Sequence, residues 1–523
     1  MKKLTPLAAA LALAACGGGG TPAVPPLAVQ LSASGATQQV VEGATETDLT
    51  VTATYTGSSN QAIVPVFQFD TNLFAQQGAV AVPQTGTYVL RLRTRPNLAA
   101  NNYSGQIGIQ LCQESTCTTV YPGSTQNISY AVKVALADWN TFQRNSAHNA
   151  YVHVTLDPSK FVQAWTWSRP PGDAEPVGGI NTVSTGQGMV FVSKDIYFGV
   201  ADVFALKESD GSQVWHYASG YSASEGPPAY ADGSVYFGTT SSGQGSRVTA
   251  LDAATGTFKF NMPFAAQWPG YFAPTIYGGA ILNTSGALTS YSVQDGKQNW
   301  SSAVLGAYDY TTPAADSKYV YQYGSAGSAG NGTMSVLDRA TGAVIASITD
   351  PFSPGSSGYS EFSAPMLGSG QNVIAFSGGG FSGRASSNSE QYESRVLVNY
   401  DVNKKAVAWR TQGVYLTHPA LGNGVIYAAS STQLDAISEL DGKVQWSWPL
   451  PAGDTGFHRN VVVTDNLIFV STDTAVHAID LKTRQSVWKY PAPGNVAISG
   501  GGILYISTGA RESNGKLVAV KLM

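Results

Sequence analysis

The sequence predicts an all-β chain: an immunoglobulin-like β-sandwich followed by an eight-bladed β-propeller closed by pairing of its N- and C-terminal strands. Three observations carry this expectation. A phrase made of an apolar run, an Asp, a Gly and a large side chain keeps returning, as "VFALKESDGSQVW" at 203–215, "VTALDAATGTFKF" at 248–260, "MSVLDRATGAVIA" at 334–346, "LDAISELDGKVQW" at 434–446 and "VHAIDLKTRQSVW" at 476–488. Its average period near 46 residues suits a four-stranded propeller blade and is too long for a leucine-rich or ankyrin repeat. Ahead of the repeats, residues 27–135 read as short alternating strands with irregularly spaced turns, the pattern of a sandwich.

The N-terminus "MKKLTPLAAALALAACGGGG" has two lysines, an apolar stretch and small residues before Cys16, the layout of a signal peptide over residues 1–15 and too short to span a bilayer. "LAAC" resembles the lipobox of bacterial lipoproteins, which implies lipidation of Cys16. Gly17 in place of Asp implies, by the same resemblance, sorting to the outer membrane, facing the periplasm or the cell surface. Residues 16–26 form a flexible Gly/Pro tether. Loss of Lys2 and Lys3 leaves 27 basic against 33 acidic residues, a net charge of −6, and nothing in that balance points to nucleic acid.

In the sandwich, "TDLTVTATYTG", "TYVLRLRTRP", "YSGQIGIQLC" and "ISYAVKV" alternate as half-buried strands do. Cys112 and Cys117 are separated by four residues between two strand-like runs, which suits a hairpin disulfide in an oxidising compartment. No further Cys or His stands near enough for a metal site. The segment 138–167 carries His148 and His153, and with no ligand partner at a suitable spacing both read as structural.

The propeller is expected over 136–523. The large residues that end each phrase are Trp165, Trp215, Phe260, Trp300, Ile345, Trp409, Trp446 and Trp488, at intervals of 50, 45, 40, 45, 64, 37 and 42 residues. In each phrase the Asp can accept bonds from the amides that follow it, and the Gly supplies the positive φ of a tight turn. The large side chain covers apolar area between one blade and the next. After Trp488 only three strands remain, so the strand around 161–167 is expected to complete the last blade and remove the open edge.

The phrase A-[LI]-D-x-x-[TD]-G-x-x-x-W, with Phe for Trp at 250–260, resembles the tryptophan-docking repeat of quinoprotein-like (PQQ-like) β-propellers. "WNTFQRNSAHNAY" at 139–151 is similar to their entry segment. One branch of that superfamily holds pyrroloquinoline quinone and Ca²⁺, commonly against a disulfide between adjacent cysteines. This chain has no adjacent pair and no Cys after Cys117, so no cofactor, metal or catalytic residue is carried over. The other branch, the BamB-like outer-membrane assembly lipoproteins, implies a non-enzymatic ring that binds protein partners. Its members lack an N-terminal sandwich.

Loops converge where inner strands begin, which makes Glu225, Tyr271, Tyr310, Glu361, His418, His458 and Arg459 the candidate channel-mouth binding residues. His418, His458 and Glu361 head successive blades and could form a metal or acid–base group. The polar run "SGGGFSGRASSNSEQYES" at 377–394 fills the 64-residue interval. The expected role is a lipid-anchored scaffold for envelope proteins. The alternatives are a module for polysaccharide or peptidoglycan and, less favoured, a quinone-type oxidoreductase.

Overall fold

In the computed structural model, the described residues are 24–523 without 44–45, 170–178, 242–244, 265–272, 285–286, 305–310, 326–331, 354–363, 378–394 and 509–514. Strands dominate, with two short 3₁₀ turns at Pro158–Lys160 and Ser369–Gln371. Contacts divide the chain into two units, one of residues 1–98 and 102–134 and one of 99–101 and 135–523.

The first unit holds two antiparallel sheets. One contains Ala28–Ser34, Asp48–Thr56, Thr87–Thr94 and Phe74–Gln76, with Ala81–Gln84 paired to Thr87–Thr94; the other contains Thr37–Val41, Gln126–Ala135, Asn101–Cys112 and Val64–Gln68. The period-2 alternation puts Leu49, Val51 and Ala53 in the interior with Leu90, Leu92, Ile107, Ile109 and Val132, and leaves the residues between them more exposed. Cys112 and Cys117 are paired, with Cα atoms 5.1 Å apart.

The second unit is a β-propeller of four-stranded antiparallel blades. In chain order they occupy 184–225, 229–264, 275–302, 314–349, 366–410, 420–449 and 457–490, while Asn495–Ile498, Ile503–Ser507 and Lys516–Lys521 form a sheet with Val162–Ser168. The first two blades are joined into one sheet because Ser224 and Glu225 pair with Thr240 and Thr239.

The recurring phrase is the turn between the third and fourth strands. Asp252 Oδ1 accepts from the amides of Ala254 and Thr255 at 3.1 and 3.0 Å, Asp480 does the same with Lys482 and Thr483, and Asp338 accepts from the Thr341 amide at 2.9 Å. The glycine has a second duty. A Cβ on Gly211, Gly256, Gly342 or Gly442 would stand 2.5–2.7 Å from the ring of Trp165, Trp215, Trp300 or Trp409, each belonging to the preceding blade. Those indoles also donate from Nε1 to Glu208, Ala253, Arg339 and Glu439 carbonyls at 2.8–3.0 Å. Trp and Gly are therefore one device split across two blades: the missing Cβ is what lets the indole lie flat on the next turn. Phe260 uses the same seat on Gly296 without the hydrogen bond.

In the fourth blade the large residue that ends the phrase, Ile345, is not at the docking position: the residue that pairs with Val336 in the way Trp300 pairs with Ser290 is Ala346, while Ile345 is 46% exposed. The phrase spacing misleads here because two apolar residues, Val344 and Ile345, precede the true position.

Candidate functional site

The channel is built on the segment 138–154. Trp139 exchanges bonds with Thr185 in the first blade, through its amide to Thr185 Oγ1 at 2.9 Å and its carbonyl from Thr185 N at 2.7 Å. Asn140 O then accepts from Tyr230, Thr141 Oγ1 donates to Pro274 O, Ser146 O accepts from Ala315, Ala147 O from Leu367, Asn149 O from Leu421 and Ala150 O from Val463. These partners lie at the inner edges of the second to seventh blades in succession, so the segment runs round the axis and ties these blades to itself. The curl that this requires is made by left-handed backbone at Gln143, Arg144, His148 and Ala150, an uncommon run for residues other than glycine.

His148 is buried in this plug, with Nδ1 2.9 Å from Pro365 O and Nε2 3.0 Å from Thr275 Oγ1. Burial pushes its imidazole down to about 3, with His418 adding to that and the Pro365 carbonyl opposing it, so it is neutral and structural at physiological pH. Phe142 stands edge-on to both His148 and His418, with centroids 5.1 and 5.0 Å away. Around them Gln143, Met366, Ile374, Phe376, Leu397 and Pro419 line a small, mainly apolar recess.

His418 is buried, and its amide donates to Arg459 O at 2.9 Å. His458 and Arg459 are half-buried beside a bulge at which Arg459 has φ +72°. The next residue, Asn460, escaped the sequence reading and is the working part of the "FHRN" group. Its Nδ2 donates to Gln143 Oε1 and Val496 O, both at 2.9 Å, and its Oδ1 accepts from Val496 N at 2.9 Å, which ties the plug to two blades. A single Asn in a polar run gives no sequence signal for that role. Cys16, Tyr271, Tyr310, Glu361 and the run 378–394 lie outside the described residues. Among the described residues no group of three His, Cys, Asp or Glu side chains is placed to hold a metal.

Glu225 lies at the junction of the first two blades, fully enclosed. Asp202 anchors the corner beside it: its Oδ2 is 3.2 Å from both Arg169 Nη2 and Lys194 Nζ, and its Oδ1 is 2.9 Å from His216 Nε2. Arg169, Lys194 and Asp202 side chains are each 4–5% exposed. Glu225 Oε2 accepts from the Asp202 amide at 3.2 Å. Burial, helped by the Asp202 charge and opposed by backbone amides and Lys194, holds the Glu225 carboxyl well above the usual range. Burial likewise pulls the Lys194 ammonium down.

The sign of the consequence follows from linkage. A carboxyl that stays protonated in the fold but ionises in the unfolded chain supports the fold fully below the unfolded value of about 4.5, and that support is lost as pH rises towards the folded value. Glu225→Gln is expected to remove this loss, so that its melting temperature exceeds the wild type's at pH 8 and the difference shrinks towards pH 4. Thermal melts across that range check it, and an equal difference at both ends would refute the assignment.

The blade connections divide sharply by face. At one end of every sheet the first-to-second turns span two to four residues and the third-to-fourth turns four or five. At the other end the connections run from three residues, as between Glu225 and Ala229, to the twenty between Phe376 and Leu397. Nearly all variation in blade length falls on this loop face.

The family described as "Outer membrane protein assembly factor BamB" matches residues 199–448. No curated protein is significantly similar in sequence. Among solved structures, BamB from Moraxella catarrhalis is 16% identical, with 69% of this chain and 97% of that chain covered at a TM-score of 0.49. The computationally designed Ika8 protein is 12% identical over 66% and 96% of the two chains at a TM-score of 0.47. The dihydro-heme d1 dehydrogenase NirN is 15% identical over 64% and 78% at a TM-score of 0.41. Residues 199–448, which hold most of the docking repeats, are thus similar to the family described as outer membrane protein assembly factor BamB, within a β-propeller.

Proposed function

We propose that this chain is a lipid-anchored envelope scaffold without catalytic activity. In this reading an Ig-like N-terminal unit carries an eight-bladed ring closed by its first and last strands, and the loop face binds proteins during outer-membrane assembly. The observation that carries the reading is the asymmetry of the propeller. The turn face repeats much the same Asp-containing turn from blade to blade, with Lys405 and Arg484 in place of glycine in two of them. The segment 138–154 is bonded to the blades around the axis. Neither offers a surface distinctive enough for a specific partner. The variable loop face does. The match to the BamB family supports the choice of protein over other partners.

Capture of the full-length chain from detergent-solubilised envelopes tests it. An outer-membrane barrel should co-purify in near-stoichiometric amount. Retention on a polysaccharide or peptidoglycan column with no protein partner would favour the glycan-binding alternative instead, and dye-linked activity after addition of quinone and Ca²⁺ would overturn the non-enzymatic assignment.

A further inference from the structure

One position in each third-to-fourth turn has its backbone fixed by the first turn of its own blade: the Glu208 amide donates to Gly188 O, Arg339 to Lys318 O and Glu439 to Gly424 O. Its side chain can then reach back to the preceding blade. Arg339 lies over the Tyr277 ring of the third blade, and Glu439 Oε1 accepts from Ser369 Oγ of the fifth at 2.9 Å. Glu208 reaches back in the same way from the first blade to the sheet that contains Val162–Ser168 and Ile503–Ser507. Its Oε1 accepts from Tyr505 Oη at 3.2 Å, and its carboxyl also takes the Ser499 hydroxyl.

At this joint a second carboxyl comes alongside. Asp138, at the start of the segment that runs round the axis, accepts from Thr185 Oγ1 of the first blade at 3.3 Å and from the Gly500 amide. Both carboxyls therefore bridge the first blade and the turn at 499–502. A Cβ on Gly500 would stand 2.7 Å from Asp138 Oδ1, and one on Gly501 would stand 2.9 Å from Glu208 Oε2. Two adjacent glycines thus receive the two carboxyls, which places each in the field of the other.

No cation balances the pair. Among the described residues, the groups that face it are the Thr185 and Ser499 hydroxyls, the Gly500 amide and the phenols of Tyr230 and Tyr505. Lys207, next to Glu208 in sequence, is exposed and acts on Asp210 instead. Burial raises both carboxyls above their ordinary range, with Thr185 and Gly500 opposing the rise of Asp138. For Glu208, Ser499 and Tyr505 oppose the rise and the Asp138 charge adds to it.

We propose that Asp138 and Glu208 make this joint a pH-sensitive fastening, tight while the pair is protonated and slack once both members are charged. A carboxyl raised in the fold supports the fold fully below its unfolded value, about 3.8 for Asp138 and 4.5 for Glu208, and that support is lost as pH rises through the folded value. Acidification therefore tightens the first blade against this sheet. The device is independent of Glu225, which sits where the first blade meets the second, and of what the loop face binds.

Glu208→Gln and Asp138→Asn stand for the protonated forms. In thermal melts of the full chain each variant should melt about 2 °C above the wild type at pH 8 and level with it at pH 4. The double variant tests the pairing: each charge burdens the other, so its gain at pH 8 should be smaller than the sum of the single gains. Hydrogen exchange of the wild-type chain, corrected for the intrinsic rate, locates the effect without any substitution. Between pH 5 and pH 8, protection of peptides covering Asn495–Ile498 and Ile503–Ser507 should fall about 10-fold more than that of Tyr319–Ser325. Additive gains at pH 8, gains undiminished at pH 4, or an equal pH response in both sets of peptides would each overturn the proposal.

Discussion

Gly342→Ala is expected to destabilise the propeller by about 3 kcal/mol. The residue sits at φ +72°, which costs an L side chain roughly 1–2 kcal/mol. The new Cβ would stand 2.5 Å from the Trp300 ring, so the indole must leave its seat. Its Nε1 then loses the 3.0 Å bond to Arg339 O, which adds about 1 kcal/mol before any loss of packing. Denaturant midpoints of the full chain measure the effect. The decisive control is the pair with Trp300→Ala: once the ring is gone the Cβ meets no clash, so Gly342→Ala should cost about half as much in that background. Additive costs would mean that the glycine serves only its own turn.

Asn460→Ala is expected to cost about 3–4 kcal/mol. The side chain closes hydrogen bonds with Gln143 and with both backbone groups of Val496, all buried, and alanine leaves those partners unsatisfied. Asn460→Asp retains the acceptor for Val496 N but turns an acceptor on Gln143 Oε1 and Val496 O, so it should be no better. The cost should fall on the plug first. Arg144, 5% exposed in the fold, should become a site of tryptic cleavage in the variant and remain resistant in the wild type. A variant that loses stability with Arg144 still protected would place the damage in the blades and not in the plug.

The sequence showed the propeller through its repeats because an Asp-containing turn imposes the same left-handed backbone demand in seven blades, met by glycine in five and by Lys405 and Arg484 in the other two. Trp positions followed, since only an aromatic of that size bridges two sheets at this spacing. The fourth blade's docking position, Ala346, does not stand out in the phrase because a repeat phrase records residue types, whereas docking depends on strand register. The plug was seen as an entry segment with structural histidines, but its path round the axis was invisible: its bonds are made largely by backbone groups, which carry no residue signature. Asn460 and the Asp202 corner escaped for a related reason. Their partners, Gln143 and Val496 in one case and Arg169, Lys194 and His216 in the other, are distant in sequence or lie in neighbouring strands, and only the fold brings them together. Glu225 was picked out as a rim residue; the structure encloses it.

Envelope capture repeated with face-specific variants decides whether the loop face is the binding surface. Val414, 43% exposed on the connection between the fifth and sixth blades, can be changed to Asp together with Tyr221, 54% exposed near the loop-face end of the first blade's last strand. Leu440, 89% exposed on a third-to-fourth turn, changed to Asp, marks the opposite face. The loop-face variant should lose the co-purifying protein at least 10-fold while remaining folded, and Leu440→Asp should retain it. Loss with Leu440→Asp and retention with the loop-face variant would contradict the account.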